Sequence, residues 1–87
     1  MDTIWKFELK VADEQLLEMP VGSLLLDVQL QNNSLQLWAR VDPEQPKIKR
    51  KIIIHGTGHP VKETTGNHLG TFQSPDGALV FHVFEGV

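Results

Sequence analysis

The run Ile52-Ile53-Ile54-His55-Gly56-Thr57-Gly58-His59-Pro60 sets two histidines around a Gly-Thr-Gly tripeptide. His55 and His59 have the H-x3-H spacing of a metal-ligand pair, and His68 and His82 offer further imidazoles. Zinc needs three or four such ligands converging at about 2.1 Å, and His55, His59 and His68 are the set a metal enzyme would use. Residues four apart share a face on a helix. This pair instead leaves an apolar run through two glycines, with no acidic residue beside it and no cysteine in the chain. No metal ligand is therefore assigned.

The glycines also raise phosphate chemistry. A nucleotide P-loop ends in Gly-Lys-Ser/Thr and enters a helix whose amides hold the phosphate. Here His59-Pro60 follows, and a residue before proline avoids helical geometry. Two readings stay open. One is a backbone nest for a small anion. The other is a strand end or bulge where glycine permits positive φ.

Just upstream lies Lys47-Ile48-Lys49-Arg50-Lys51, a basic run in an acidic chain. Strand alternation sends the three lysines to one face and Arg50 to the other. The lysines either form a phosphate-attracting ridge beside the glycine turn or guard a sheet edge against aggregation. Arg50 belongs at the core rim or beside a carboxylate. The candidate ligand-binding residues are Lys49, Lys51, His55, Gly56, Thr57, Gly58 and His59. Covalent catalysis needs a nucleophile, a base and an orienting group together. Ser34 and Ser74 fall in turn tips, and no paired carboxylates are evident. No catalytic residue and no cofactor is assigned.

These residues need strands to position them, because the dominant hydrophobic period is two. Trp5, Phe7, Leu9 and Val11 alternate with charged residues. Leu24 to Gln31 and Leu35 to Asp42 alternate likewise, with Asn32-Asn33 between them as a two-residue turn. That register opposes Leu30 to Leu35, Val28 to Leu37, Leu26 to Ala39 and Leu24 to Val41, all apolar on one face. On the other face Gln29 meets Gln36, Asp27 meets Trp38, and Arg40 lies diagonal to Asp27. Trp38 on this polar face marks a second covering layer, a subunit interface or a stacking platform, the covering layer foremost. Ser74-Pro75-Asp76-Gly77 is a hairpin turn. Its arms are Leu69 to Gln73 and Ala78 to Glu85, and the second, apolar on both faces, reads as a central strand covered on both sides. Lys47 to His55 is a further strand, and Gly56 to Asn67 the longest irregular connection. Met19-Pro20-Val21-Gly22 reads as a turn. Glu14 to Met19 is a short strand or a single helical turn. The prediction is an all-β antiparallel sandwich or barrel of six to seven short strands, with at most one helical turn.

With 87 residues the chain is one small domain, 1–87. Such a domain buries only about 60–65% of its unfolded surface, so a homo-oligomer is expected to add burial. The absence of cysteine excludes disulfides and thiolate chemistry. A net charge of −3 and a pI near 5.7 oppose duplex-DNA binding. No apolar run reaches the ~20 residues of a membrane span. The N-terminus alternates rather than resembling a leader. A cytoplasmic location, with no membrane partner, is expected.

Several segments line up in order: Ile4-Trp5-Lys6-Phe7, Glu18-Met19-Pro20-Val21-Gly22, Leu37-Trp38-Ala39, Val41-Asp42-Pro43-Glu44, Gly56-Thr57-Gly58-His59-Pro60, Leu69-Gly70-Thr71-Phe72-Gln73 and Gly77-Ala78-Leu79-Val80-Phe81-His82-Val83-Phe84. Over nearly the whole chain this pattern resembles a family of small phage and prophage proteins of unknown function. The resemblance implies expression in a bacterial host. It implies no reaction and carries over no catalytic residue. The expected function is a non-enzymatic binding protein acting on a host component in antidefence, by binding a host protein or sequestering a phosphate-bearing nucleotide. The alternatives are a virion structural or assembly protein and the histidine-ligated metal enzyme.

Overall fold

In a computed structural model, which describes residues 1–87, the chain forms seven strands and no helix. They are β1 (Thr3–Leu9), β2 (Glu14–Pro20), β3 (Leu24–Gln31), β4 (Ser34–Val41), β5 (Lys47–Gly56), β6 (Thr65–Gln73) and β7 (Val80–Gly86). Two antiparallel sheets result, β1-β4-β3 and β2-β5-β7-β6. They pack as a sandwich and approach most closely where β3 meets β6.

The core lies between the inner faces. Leu9, Val28, Leu35 and Leu37 come from one sheet, and Met19, Ile52, Ile54, Phe72 and Val83 from the other. Leu9, Val28, Leu35, Leu37, Ile52 and Ile54 stand on faces that period-two alternation marks; Phe72 and Val83 do not, and Met19 ends the segment open to either a short strand or a helical turn. Met19 pairs with Ile48 in β2–β5. A single helical turn leaves most of its amides unbonded, whereas pairing with β5 occupies the backbone and buries Met19 completely. The expected turn at Met19 to Gly22 therefore starts two residues later, at Val21-Gly22.

The β3–β4 hairpin turns at Asn32-Asn33, both with positive φ (51° and 65°), as a type I′ turn requires. Its register runs as expected through Leu30–Leu35, Val28–Leu37 and Asp27–Trp38, then shifts at a bulge between Leu25 and Asp27. Leu25, not Leu26, opposes Ala39, and Leu24 opposes Arg40 rather than Val41. The bulge exchanges the two faces of the strand. Leu25 packs against the core, while Leu24 and Leu26 are 59% and 44% exposed. Arg40 does not reach Asp27. Its Nε donates to Asp2 at 2.9 Å, and Asp27 accepts instead from the Val28 amide and the Gln29 side chain.

Strand β5 lies between β2 and β7, but its lysines fall in the first half, which meets β2 alone and is open on its other side. Only its second half, Ile52 to Gly56, pairs with β7. Arg50 faces the core rim and holds Glu85 of β7 bidentately, with Nη2 to Oε1 at 3.0 Å and Nε to Oε2. Its Nη1 donates to the Ser23 carbonyl at 2.9 Å. Strand β7 is central as expected, but nothing layers over its outer face, and Val80, His82 and Phe84 remain half-exposed.

The Ser74–Gly77 turn closes β6 onto β7. Ser74 N–H donates to the Leu79 carbonyl at 2.9 Å, and Gly77 takes φ 73°. The Asp76 carboxylate accepts from the Ser74 hydroxyl at 2.7 Å and the Ala78 amide at 3.0 Å. These bonds, the Ser74 hydroxyl foremost, hold its pKa below the usual Asp value. A folded pKa below the unfolded one means that the carboxylate supports the fold above the unfolded pKa. That support disappears as pH falls through the folded value, below about 4. Asp76→Asn is therefore expected to flatten part of the acid limb of a urea-midpoint profile from pH 5 to 2. An unchanged acid limb would remove Asp76 from the account.

Candidate functional site

The loop after His55 is a tight turn followed by an irregular stretch to Thr64. His59 N–H donates to the Gly56 carbonyl at 3.1 Å, and Gly58 takes φ 89°, the positive value that a type II turn demands at its third residue. Gly56 has a different task. A Cβ built there would lie 3.0 Å from Cε1 and Nδ1 of His59, so the missing side chain lets the imidazole fold back over the strand end. The Thr57 amide is occupied too, donating to the Val80 carbonyl at 3.1 Å. With Thr57 and His59 committed internally, the anion nest considered for Gly56-Thr57-Gly58 lacks two of its amides.

The seating of His59 gives the loop its geometry. Its side chain borders an open hollow of about 360 Å³ walled by Leu79, Val80 and Phe81. It also borders an open hollow of about 370 Å³ with His55, Pro60, Asp13 and Lys62. The first hollow is walled mainly by apolar side chains, the second brings His55, Asp13 and Lys62 to its rim, and His59 borders both.

The remaining candidates fall in two groups. His55 is 7% exposed, with Nε2 2.9 Å from the Thr65 hydroxyl and its ring edge-on to Phe84. It borders the hollow that holds Lys62 but is itself held by the fold. Lys49 and Lys51 line none of these hollows. Lys51 Nζ is 3.1 Å from one Glu14 oxygen, and Lys62 Nζ is 3.5 Å from the other. The Lys51 ammonium, with Lys62 behind it, holds the Glu14 carboxyl below the usual range. Lys49 faces Glu18 across β2–β5. The expected phosphate-attracting ridge is interrupted at Lys51, whose ammonium is taken by Glu14, and Lys62 is the lysine that reaches the hollow. Sequence reasoning passed over Lys62 because an aperiodic loop gives no clue to its direction.

A network of imidazoles and hydroxyls covers the outer face of β6–β7. His82 Nε2 lies 2.7 Å from Thr57 Oγ1 and its Nδ1 3.1 Å from Thr71 Oγ1, and Thr71 also reaches His68 Nε2 at 3.0 Å. His68 stands edge-on to Phe84 at 5.2 Å. Nothing in the sequence joins these residues, because the strand register alone opposes Thr71 to His82 and His68 to Phe84. No three His, Asp or Glu side chains converge as a metal-ligating set. Trp38 borders another open hollow, of about 390 Å³, with Ile4 and Leu26 on the outer face of the three-stranded sheet. The covering layer expected over Trp38 does not form, since both sheets are used in enclosing one core.

Fold and hollows together define a small antiparallel β-sandwich domain with open hollows that share a loop histidine. The chain belongs to the family described as Domain of unknown function (DUF7352), whose model matches residues 1–87. No curated protein and no solved structure matches it. No helix long and apolar enough to cross a membrane is present.

Proposed function

We propose that this is a non-enzymatic binding domain encoded by a phage or prophage, acting on a component of the host cell. The reading rests on one observation: the His59 imidazole, seated on Gly56, borders both an apolar hollow and one that holds Lys62. A ligand suited to both has an apolar or aromatic body and an anionic end. A nucleotide has that form, with its base against Leu79 and Phe81 and its phosphate toward Lys62 and His59. Asp13 and Glu14 nearby disfavour a heavily charged phosphate chain, so a nucleoside monophosphate fits better than a triphosphate. The phage assignment draws on the sequence resemblance, and a role in countering host defence follows from it.

Calorimetry with nucleoside monophosphates and with the parent nucleosides tests the site. The monophosphates are expected to bind, and Lys62→Ala or His59→Ala to weaken them by roughly tenfold, the loss of one charged or hydrogen-bonded contact. The nucleosides are expected to bind more weakly by a similar factor. No heat with any monophosphate at millimolar concentration would overturn the nucleotide reading and leave a host protein as the ligand.

The virion structural role has its own supporting observation, the uncovered apolar hollow at Trp38, Ile4 and Leu26. Mass spectrometry of purified particles separates the two readings, since a structural subunit is present in stoichiometric amount.

A further inference from the structure

The four sheet edges are not alike. Strand β3 is broken by the bulge at Leu26, and β6 by irregularities between Thr65 and Gly70. Strand β2 keeps its register but ends in Pro20, which has no N–H to donate, and a two-fold pairing about its centre at Leu17 would oppose Glu14 to that proline. Only β1 combines an unbroken register, Thr3 to Leu9, with a sequence free of glycine and proline. It stands at the edge of its sheet, so one row of its N–H and C=O groups has no strand to meet.

The side chains of β1 are complementary to themselves. Opposed residues in an antiparallel pair share a face, which restricts the two-fold registers to those centred on a residue. Centring on Phe7 opposes Lys6 of each copy to Glu8 of the other, twice. It also sets Trp5 against Leu9, twice, and Phe7 against Phe7. Centring on Lys6 would oppose lysine to lysine, and centring on Trp5 would oppose Asp2 to Glu8. Glu8 forms no ion pair within its own chain, and Lys6 only donates to Gln31 Oε1 at 3.0 Å. Trp5 and Phe7 point to the core side with ring centroids 6.3 Å apart, yet both stay half-exposed. A strand added at this edge covers their open flank.

We propose that two copies of the chain join β1 to β1 about a two-fold axis at Phe7. The two three-stranded sheets become one six-stranded sheet, held by a short ladder and two reciprocal Lys6–Glu8 pairs. This interface is independent of what the His59 cleft binds.

Sedimentation velocity on the intact chain over a range of concentrations tests it. The wild type is expected to form a dimer. Lys6→Glu and Glu8→Lys each place like charges opposite one another, twice, and are expected to raise the dimer dissociation constant by roughly tenfold. The double variant Lys6→Glu/Glu8→Lys restores it. Both residues are exposed, so the monomer fold is left intact. Because the chain has no cysteine, a mixture of Lys6→Cys and Glu8→Cys chains gives a second readout. Mild oxidation is expected to link unlike variants in preference to like ones. A strictly monomeric wild type would overturn the proposal. A dimer indifferent to both charge reversals, with no preference in cross-linking, would overturn it as well.

Discussion

Leu25→Asp is expected to remove most of the protein's stability, whereas Leu26→Asp leaves it nearly unchanged. The two leucines are adjacent, alike in chemistry, and in a run where every position is leucine from 24 to 26. The bulge alone distinguishes them. Leu25 packs against the core opposite Ala39, and Leu26 stands 44% exposed beside Trp38. Burying most of a leucine contributes about 2 kcal/mol, and a carboxylate in its place adds a desolvation cost. A total near 3 kcal/mol takes most of the ~5 kcal/mol available to a domain of this size. At Leu26 the change stays within about 0.5 kcal/mol. Urea midpoints read the difference directly, with a shift of about 2–3 M for Leu25→Asp. Equal shifts for the two variants would mean that the strand runs without its bulge.

The second large effect concerns Arg50 and Glu85. Their side chains are only 18% and 25% exposed, and the guanidinium also holds the carbonyl of buried Ser23. Arg50→Met leaves a half-buried carboxylate without its partner and a carbonyl without its donor. Breaking a fully buried pair costs roughly 3–5 kcal/mol, and residual solvent access here reduces that to about 2–3 kcal/mol. Glu85→Leu alone strands the arginine at a similar cost. The double variant Arg50→Met/Glu85→Leu is expected to recover to within about 1 kcal/mol of the wild type, because two apolar side chains then continue the core. A double-mutant cycle on urea unfolding therefore shows strong coupling. Simple additivity of the single changes would show that the two charges do not depend on each other.

Arg50 also shows how far the sequence reaches. Alternation sends it to the face of Ile48, Ile52 and Ile54, and a cation there requires a carboxylate. It does not name Glu85, which is 35 residues away, because the partner depends on β7 lying beside β5. The same limit applies at the candidate site. His55, Gly56, Thr57 and His59 were legible as a group because histidines and glycines cluster at a strand end. The two glycines turned out to have separate tasks, one conformational at Gly58 and one steric at Gly56. Lys49 and Lys51 share the same stretch of sequence but not the hollow, since both lie alongside β2, where Lys51 meets Glu14.

By itself the sequence determined the all-β class, the two hairpin turns and most of the inward-facing residues. Each of these follows from short-range rules: the period of a strand, and the few residue types that tolerate positive φ. Only the tertiary structure decided the bulge at Leu26, the strand character of Glu14–Pro20, and the surroundings of His59. A bulge is stable when the leucine it turns inward gains a core contact, and that contact exists only once the second sheet is in place. The direction of Lys62 and the pairing of Thr71 with His82 depend on strands distant in sequence coming together, which local rules do not specify.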